Sequence, residues 1–304
     1  MWLAGDGWPI RRIDWPAPVG TAPRGALLFM GGRADLFEKY IESFEHWRQQ
    51  GWQVTALDWR GQAGSGRFLP DRETGHVPDF QLWVDDLCAF WQDWPGLSNK
   101  PRVIVGHSMG GHLVLRAIAE KRLVPDSAVL VAPMLGLLAG GLPMAAQHAV
   151  ARAVCALRGP TRPAWKNGER PLDGPAARMH LLTHDRTRYD NEQYWRATHP
   201  ELVMGPASWG WIERALASCR WLARPGVLEG VAVPVQILST RGDRLVSHRA
   251  NVAAAARLAQ GELVSYGPEV AHEILREIDP WRDAALAAID GFLARRLPFA
   301  PAPS

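Results

Sequence analysis

Short apolar runs alternate with helical patterns through both ends of this 304-residue chain, and that alternation constrains the fold most strongly. Successive parallel strands need a crossover connection, usually a helix, so the pattern predicts an α/β fold with a mostly parallel sheet covered by helices on both faces. Apolar runs predict strands at residues 26–30, 54–57, 102–105, 128–131, 235–238 and 263–266. Periodic apolar faces and helix-like composition predict helices at residues 37–50, 82–94, 111–120 and 280–295.

The alternation is interrupted between residues 134 and 224. Helical pieces in this stretch are separated by glycines and prolines, among them Gly140, Gly141, Pro160, Pro163, Pro171 and Pro175. We predict a mainly helical cap here, inserted after the strand that ends near Val131. Residues 1–133 and 225–297 then form one core domain, and we expect residues 298–304 to be a disordered tail.

Composition excludes several classes of protein. Lys and Arg number 34 against 31 Asp and Glu, a balance of +3 that is too even for a nucleic-acid binder but compatible with attraction to an anionic surface. The chain shows no secretory signal and no apolar stretch of about 18 residues, so we expect a cytoplasmic protein, with peripheral contact with the inner membrane surface as an option.

The 15 tryptophans suit a core, an apolar ligand cleft or a membrane-facing surface. The cysteines lack a C-x-x-C spacing, so each is expected to be a small buried residue: Cys88, Cys155 and Cys219.

Residues 106–110 read Gly-His-Ser-Met-Gly, a G-x-S-x-G motif between a predicted strand and a predicted helix. A serine at such a tight turn presents its hydroxyl outward, and the flanking glycines allow the backbone to turn. The N–H groups at the start of the helix can stabilise a developing oxyanion. This context predicts Ser108 as a nucleophile, whereas the alternative is an ordinary glycine-rich loop between a strand and a helix.

A serine hydroxyl is a weak nucleophile and needs a base, which in turn needs an orienting acid. Behind a motif of this type the acid follows a late strand and the histidine follows the last one. Asp243 and His272 occupy those two positions, so we predict them as acid and general base. Other candidates are expected to be surface or capping residues in the cap (His184, Asp185, His199) or to pack beneath the turn (His107, His112).

The oxyanion hole requires two N–H donors. Met109, which follows the nucleophile, is the first predicted donor, and Arg33, in the turn after the first predicted strand, is the second. The alternative is that Gly31 and Gly32 only permit that turn. The glycine-rich run at residues 61–66 lacks the lysine and spacing of a phosphate-binding loop, and we interpret it as a flexible loop beside the site.

Several segments together resemble the α/β-hydrolase superfamily, and more narrowly the bacterial lysophospholipase and monoacylglycerol lipase group. The resemblance extends from about residue 24 to 295. The segments that carry it are residues 32–40, 58–67, 75–80, 106–111 and 271–275, and within the cap residues 182–185, 188–189 and 209–211.

The resemblance implies hydrolysis of a carboxylic ester of a single-chain lipid, with neither a cofactor nor a metal. Its nucleophile, acid and base correspond to Ser108, Asp243 and His272. Gly31 stands where the superfamily often has a histidine that braces the oxyanion loop, so the second donor stays open. Residues expected to border an apolar substrate slot, or alternatively only to pack the cap onto the sheet, are Gly32, Leu135, Leu137, Trp209 and Trp211.

The sequence therefore predicts a serine hydrolase of a lysophospholipid or monoacylglycerol, with a small-molecule lipid ester as its partner. One alternative is a small-ester or peptidase-like hydrolase with the same three residues. Another is a binding protein that keeps the fold without catalysis. The sequence leaves the head group, the acyl length and the oligomeric state open.

Overall fold

The computed structural model describes residues 1–97, 99–138, 141–166 and 175–297, so the predicted tail lies outside the described residues. Its strands are β1 (Trp2–Leu3), β2 (Pro9–Ile10), β3 (Arg12–Trp15), β4 (Gly25–Met30), β5 (Trp52–Leu57), β6 (Arg102–His107), β7 (Ser127–Val131), β8 (Val235–Thr240) and β9 (Gly261–Tyr266). Its α-helices are α1 (Ile41–Gln49), α2 (Phe80–Asp93), α3 (Met109–Ala119), α4 (Met144–Arg158), α5 (Pro175–Leu182), α6 (Arg186–Thr198), α7 (Trp209–Leu222), α8 (His248–Arg257) and α9 (Asp279–Arg296).

Within those residues, seven strands form one sheet in the order β3-β5-β4-β6-β7-β8-β9. Every neighbouring pair is parallel except β3 with β5, which is antiparallel at the edge. The predicted mostly parallel α/β sheet is confirmed. The carboxyl ends of the parallel strands share one edge of the sheet, where loops from distant parts of the chain meet.

Alternating side chains of the strands separate two apolar layers. In β4, Ala26, Leu28 and Met30 join a cluster that includes residues of α2, α3, α7 and α8, whereas Leu27 and Phe29 join one that includes residues of α1 and α9. Successive side chains of a strand point to opposite faces, so a continuous apolar run is buried on both sides. This packing fixes the strand ends from which the functional loops emerge.

The structure differs from the sequence prediction at the N-terminus. Strands β1 to β3 were not predicted, because β1 and β2 have two residues each and β3 is a partly exposed edge strand without an apolar run. The helix expected at residues 37–50 begins as a 3-10 turn, Phe37–Tyr40, before α1.

Cys155 was expected to be buried but is only half-buried, since it lies on the partly exposed helix α4.

Helices α4 to α7 lie between β7 and β8 and form the insertion, the segment in which the sequence predicts the cap. The limits of the cap at residues 134 and 224 stay a prediction. Helix α4 packs along α7, and α6 packs against the 3-10 turn that follows β4. None of the helices in the described ranges combines the length and apolarity needed to cross a membrane.

Candidate active site

Ser108 lies at the turn between β6 and α3 in a backbone conformation that L-residues rarely adopt, with φ 52° and ψ −116°. The turn is held because the Ser108 N–H donates to the carbonyl oxygen of Val131 at 2.9 Å. Close packing explains both glycines of the motif. A Cβ on Gly110 would lie 2.3 Å from the Met30 carbonyl oxygen, and one on Gly106 would lie 2.7 Å from the backbone of residue 111. Backbone strain of this kind is characteristic of functional turns.

The structure brings Ser108, His272 and Asp243 together from three separate loops. His272 Nε2 lies 3.0 Å from Ser108 Oγ, and His272 Nδ1 lies 2.6 Å from Asp243 Oδ2. An ionised carboxylate only accepts hydrogen bonds, so Nδ1 carries the proton and the Nε2 lone pair faces the serine hydroxyl. A hydroxyl, an imidazole and a carboxylate arranged in this order can generate a serine nucleophile.

The surroundings favour a charged Asp243 and a basic His272. Burial alone would raise the pKa of Asp243, but His272 and the N–H groups of Leu245 and Val246 outweigh burial and hold that pKa below its ordinary value. Burial alone would lower the pKa of His272, but the Asp243 carboxylate outweighs it and raises that pKa above 6.5. The imidazole is therefore a stronger proton acceptor than a histidine in water.

Two sets of N–H groups lie near the Ser108 side chain. Ser108 is the N-cap of α3 and makes no side-chain capping bond, so Met109 begins the helix without a cap from the serine hydroxyl. On the other side, a Cβ added to Gly32 would lie 3.1 Å from Ser108 Cβ. The Gly32 N–H donates to Asp35 Oδ2 at 2.7 Å, and the Ala34 N–H donates to Gln62 Oε1 at 2.8 Å.

Asp35 braces this turn after β4, in which Gly31 stands where a bracing histidine was expected. Besides the Gly32 N–H, its Oδ2 accepts from Tyr40 OH at 2.8 Å and lies 3.1 Å from His107 Nδ1. Trp59 Nε1 donates to the Gly31 carbonyl oxygen at 2.7 Å. Residue 35 lies in one of the segments that resemble the hydrolase family, but a bracing role for it was not predicted. An acidic residue four positions before a lysine was the available signal.

The loop that carries His272 pairs with a segment of the predicted cap. The N–H groups of His272 and Glu273 point to the carbonyl oxygens of Leu181 and Leu182, at 3.4 and 2.8 Å. Just beyond, the buried Glu277 carboxylate accepts from the Ala271 N–H at 2.7 Å and lies 2.8 Å from His184 Nδ1. This part of the insertion is therefore bonded directly to the loop of the candidate base.

The other histidines and acids considered as candidates have partners other than the Ser108 hydroxyl. His107 is buried, with its ring centroid 4.9 Å from that of His272. His112 Nε2 lies 2.6 Å from Ser218 Oγ, and burial lowers the pKa of His112 to about 3, which keeps the ring neutral. Asp185 caps α6 by accepting from the Arg188 N–H, and His199 ends that helix.

The candidate substrate residues are divided between core and partly exposed positions. Leu135 and Trp211 are buried in the cluster that covers one face of the sheet, and Leu137 and Trp209 are half-buried. The guanidinium of Arg33 extends beneath the insertion, 5.4 Å from the centroid of Trp211, and donates to the carbonyl oxygen of Gly205 at 2.7 Å. In the part of the chain that the structure describes, no group of three or more His, Cys, Asp or Glu residues is placed to hold a metal ion.

Comparison with known proteins identifies the family to which this geometry belongs. A family model described as "Serine aminopeptidase, S33" matches residues 21–279. Lysophospholipase L2 of Escherichia coli K12 is 32% identical over 306 residues, a match that covers 95% of this chain and 85% of that protein. Monoacylglycerol lipase of Mycolicibacterium smegmatis is 30% identical over 145 residues, covering 41% of this chain and 49% of that protein.

Solved structures agree at the level of the fold. Monoglyceride lipase of Saccharomyces cerevisiae superposes with a TM-score of 0.76 at 18% identity, covering 95% of this chain and 92% of that one. Monoacylglycerol lipase of Paleococcus ferrophilus gives 0.73 at 17% identity, covering 95% and 99%. The predicted α/β-hydrolase fold and the resemblance to the lysophospholipase and monoacylglycerol lipase group are confirmed.

Proposed function

We propose a substrate and a mechanism for this protein. The chain belongs to the serine aminopeptidase S33 family and is a lipid ester hydrolase of the serine esterase type. The proposed substrate is a single-chain lipid ester, a lysophospholipid or a monoacylglycerol. The observation that carries the proposal is the hydrogen-bonded series Ser108, His272 and Asp243 at the end of a strained turn. The similarity to lysophospholipase L2 along 95% of the chain supports the lipid class.

The proposed reaction begins when Ser108 Oγ attacks the ester carbonyl while His272 Nε2 takes the hydroxyl proton. The ester C–O bond then breaks, His272 returns the proton to the leaving alcohol, and the acyl group stays on the serine. Water repeats the sequence: His272 takes its proton, the fatty acid leaves and Ser108 regains its hydrogen. Asp243 holds the imidazole in the required tautomer and stabilises the imidazolium.

The proposed oxyanion hole consists of the N–H groups of Met109 and Arg33. The Met109 N–H stands at the positive end of α3 directly after the nucleophile. We assign the Arg33 N–H as the second donor because it lies in the turn after β4, here called the oxyanion turn, which places Gly32 beside the Ser108 side chain. The brace from Asp35 then serves in place of the histidine that Gly31 replaces.

We also propose that α4 meets an anionic membrane surface that holds the lipid. Val150 and Leu157 are 50% and 84% exposed and, seven residues apart, lie on one face of the helix. The exposed Arg152 and Arg158 flank that face, and residues 134–166 contain no Asp or Glu. An exposed apolar stripe between basic residues is typical of helices that lie at a lipid interface.

A peptidase-like function is the second candidate, since the description of the matched family names an aminopeptidase. A substrate panel separates the candidates: a lysophospholipid, a monoacylglycerol, a two-chain phospholipid, a short p-nitrophenyl ester and an aminoacyl p-nitroanilide. We expect the highest kcat/KM on the two monoacyl lipids. A preference for the anilide would overturn the lipid assignment, and an enzyme that a fluorophosphonate probe does not label at Ser108 would overturn the mechanism.

A further inference from the structure

A set of buried charges lies beside the candidate active site, and Asp35 is the member that already has a role in the proposed reaction, as the brace of the oxyanion turn. We define the ionic cluster as Asp35, Lys39, Glu192, Glu273 and Arg276. Their side chains are between 1% and 8% exposed. Two further arginines pair with Glu192: Arg178 donates to its Oε1 at 2.6 Å, and Arg196 Nη1 lies 3.8 Å from the same oxygen. The three carboxylates are therefore neutralised by cations of the protein rather than by water.

Lys39 is the centre of the ionic cluster. Its Nζ lies 2.7 Å from Asp35 Oδ1, 2.6 Å from Glu273 Oε1 and 3.3 Å from Glu192 Oε2. The contacts with Asp35 and Glu273 are hydrogen bonds, and the third contact, with Glu192, is an ion pair. Arg276 adds a second link because its Nη1 donates to both Glu273 and Glu192.

Each of the three carboxylates belongs to a different segment of the site. Asp35 accepts the Gly32 N–H and lies beside His107, the residue that precedes Ser108. Glu273 follows His272 directly in the chain. Glu192 belongs to α6, inside the insertion. Lys39 thus joins the oxyanion turn, the loop of the general base and the insertion at one atom.

The ionic cluster is charged at neutral pH. Burial alone would raise the carboxylate pKa values, but Lys39 and its neighbouring cations hold the pKa values of Asp35, Glu192 and Glu273 below their ordinary values. Burial alone would lower the pKa of Lys39, but the three carboxylates raise it. Opposite charges attract more strongly in a buried site than in water, so separating one segment from the others is unfavourable.

We propose that Glu192 is a positioning residue for ester hydrolysis. By completing the shell of carboxylates around Lys39, it holds the oxyanion turn and the His272 loop at a fixed separation. The chemistry therefore depends on a carboxylate supplied by the insertion, and α6 belongs to the catalytic frame. This inference rests on the proposed function, because the two loops matter only if Ser108 and His272 act as assigned.

The test compares two variants of α6 that each remove one carboxylate. Glu192→Gln keeps the size of the side chain and breaks the ionic cluster. Asp190→Asn is the matched control, because Asp190 pairs with Arg186 on the exposed side of the same helix, with 51% and 75% of the two side chains exposed. Both proteins are assayed on a short p-nitrophenyl ester and for the rate of Ser108 labelling by a fluorophosphonate, with thermal unfolding followed in parallel.

We expect kcat and the labelling rate of Glu192→Gln to fall by about 10²-fold, the effect of a displacement of roughly 1 Å, while KM stays near the wild-type value. Asp190→Asn should match the wild type. A folded Glu192→Gln protein with the kcat and labelling rate of the control would overturn the inference. A wild-type protein that is not labelled would instead overturn the proposed function.

A second variant keeps the test decisive if Glu192→Gln does not fold. Glu192→Asp retains the charge and shortens the reach toward Lys39 by one methylene. A lower kcat at unchanged KM supports positioning by Glu192. A kcat equal to that of Asp190→Asn overturns it.

Discussion

The two sides of the insertion differ in the interactions that they make. Around α6, buried charges and backbone hydrogen bonds attach the insertion to the loops that carry His272 and the oxyanion turn. Around α4, contact is made with α7 through the pair of His148 and Glu213, and the outward face exposes apolar side chains between arginines.

This difference separates two roles that a single lid would combine. Directional, buried ionic contacts specify one arrangement of segments, which suits a frame for catalysis. An exposed apolar face carries no such specificity and suits contact with a lipid surface. On this interpretation the α6 side sets the rate of the chemical step, whereas the α4 side sets how substrate reaches it.

The largest effect should come from removing the nucleophile, which leaves both sides of the insertion in place. We expect Ser108→Ala to lose on the order of 10⁶-fold in turnover while it keeps the wild-type unfolding temperature and binding to lipid vesicles. Ester hydrolysis and vesicle sedimentation measure the two properties separately. Wild-type turnover in this variant would refute the assigned nucleophile.

Asp243→Asn should have the next largest effect, a loss of roughly 10⁴-fold in turnover, because an amide favours the wrong tautomer of His272. Asp185→Asn is the matched control on the α6 side, since Asp185 only caps that helix and pairs with Arg188. Turnover is measured on a short ester for both. If Asp185→Asn lost the activity and Asp243→Asn kept it, the acid would be wrongly assigned.

The charged side of the insertion also marks the limit of sequence interpretation. A motif and strand ends predicted Ser108, Asp243 and His272 as one group, and the structure brings the three side chains together, whereas their catalytic roles stay a prediction. Glu192 gave no such signal, since a glutamate in the middle of a helix normally faces solvent. Its partner Lys39 is 153 positions away, and only the packed fold brings the two together. The composition around α4 carried a signal that was not used in the prediction, since residues 134–166 contain no acidic residue.

Contact of the α4 side with lipid can be tested by placing a charge on its exposed stripe. Leu157→Glu should weaken binding to phosphatidylglycerol vesicles by roughly thirtyfold, because burial of a leucine side chain contributes about 2 kcal/mol. Val124→Glu is the control: Val124 is 73% exposed in the loop that enters β7, at the opposite edge of the sheet. Hydrolysis of a short ester should be unchanged in both. Equal vesicle binding by the two variants would remove α4 as the lipid contact.

The rate should fall about tenfold per pH unit on the acid side, because a protonated His272 cannot accept the serine proton. Since Asp243 raises the pKa of His272, the midpoint of that decline should lie above pH 6.5. Residual activity of Asp243→Asn should decline at a lower pH, because the carboxylate that stabilises the imidazolium is gone. The measurement is kcat/KM on a short ester from pH 5 to 9. A flat profile would contradict His272 as the general base.

The smallest effect per step concerns the acyl chain. If the insertion encloses an apolar slot, each added CH₂ contributes about 0.8 kcal/mol, or roughly fourfold in kcat/KM, until the slot is filled. Leu137 and Trp209 are half-buried and can border such a slot, whereas Leu135 and Trp211 are already packed in the core. The measurement is kcat/KM for monoacyl esters from two to sixteen carbons, with detergent concentration held constant.

Repeating the series with Leu157→Glu separates a slot from a surface effect, since the slope per carbon belongs to the slot and should persist when vesicle binding is lost. A maximum at acetate followed by a decline with length would refute the lipid substrate and favour a small ester.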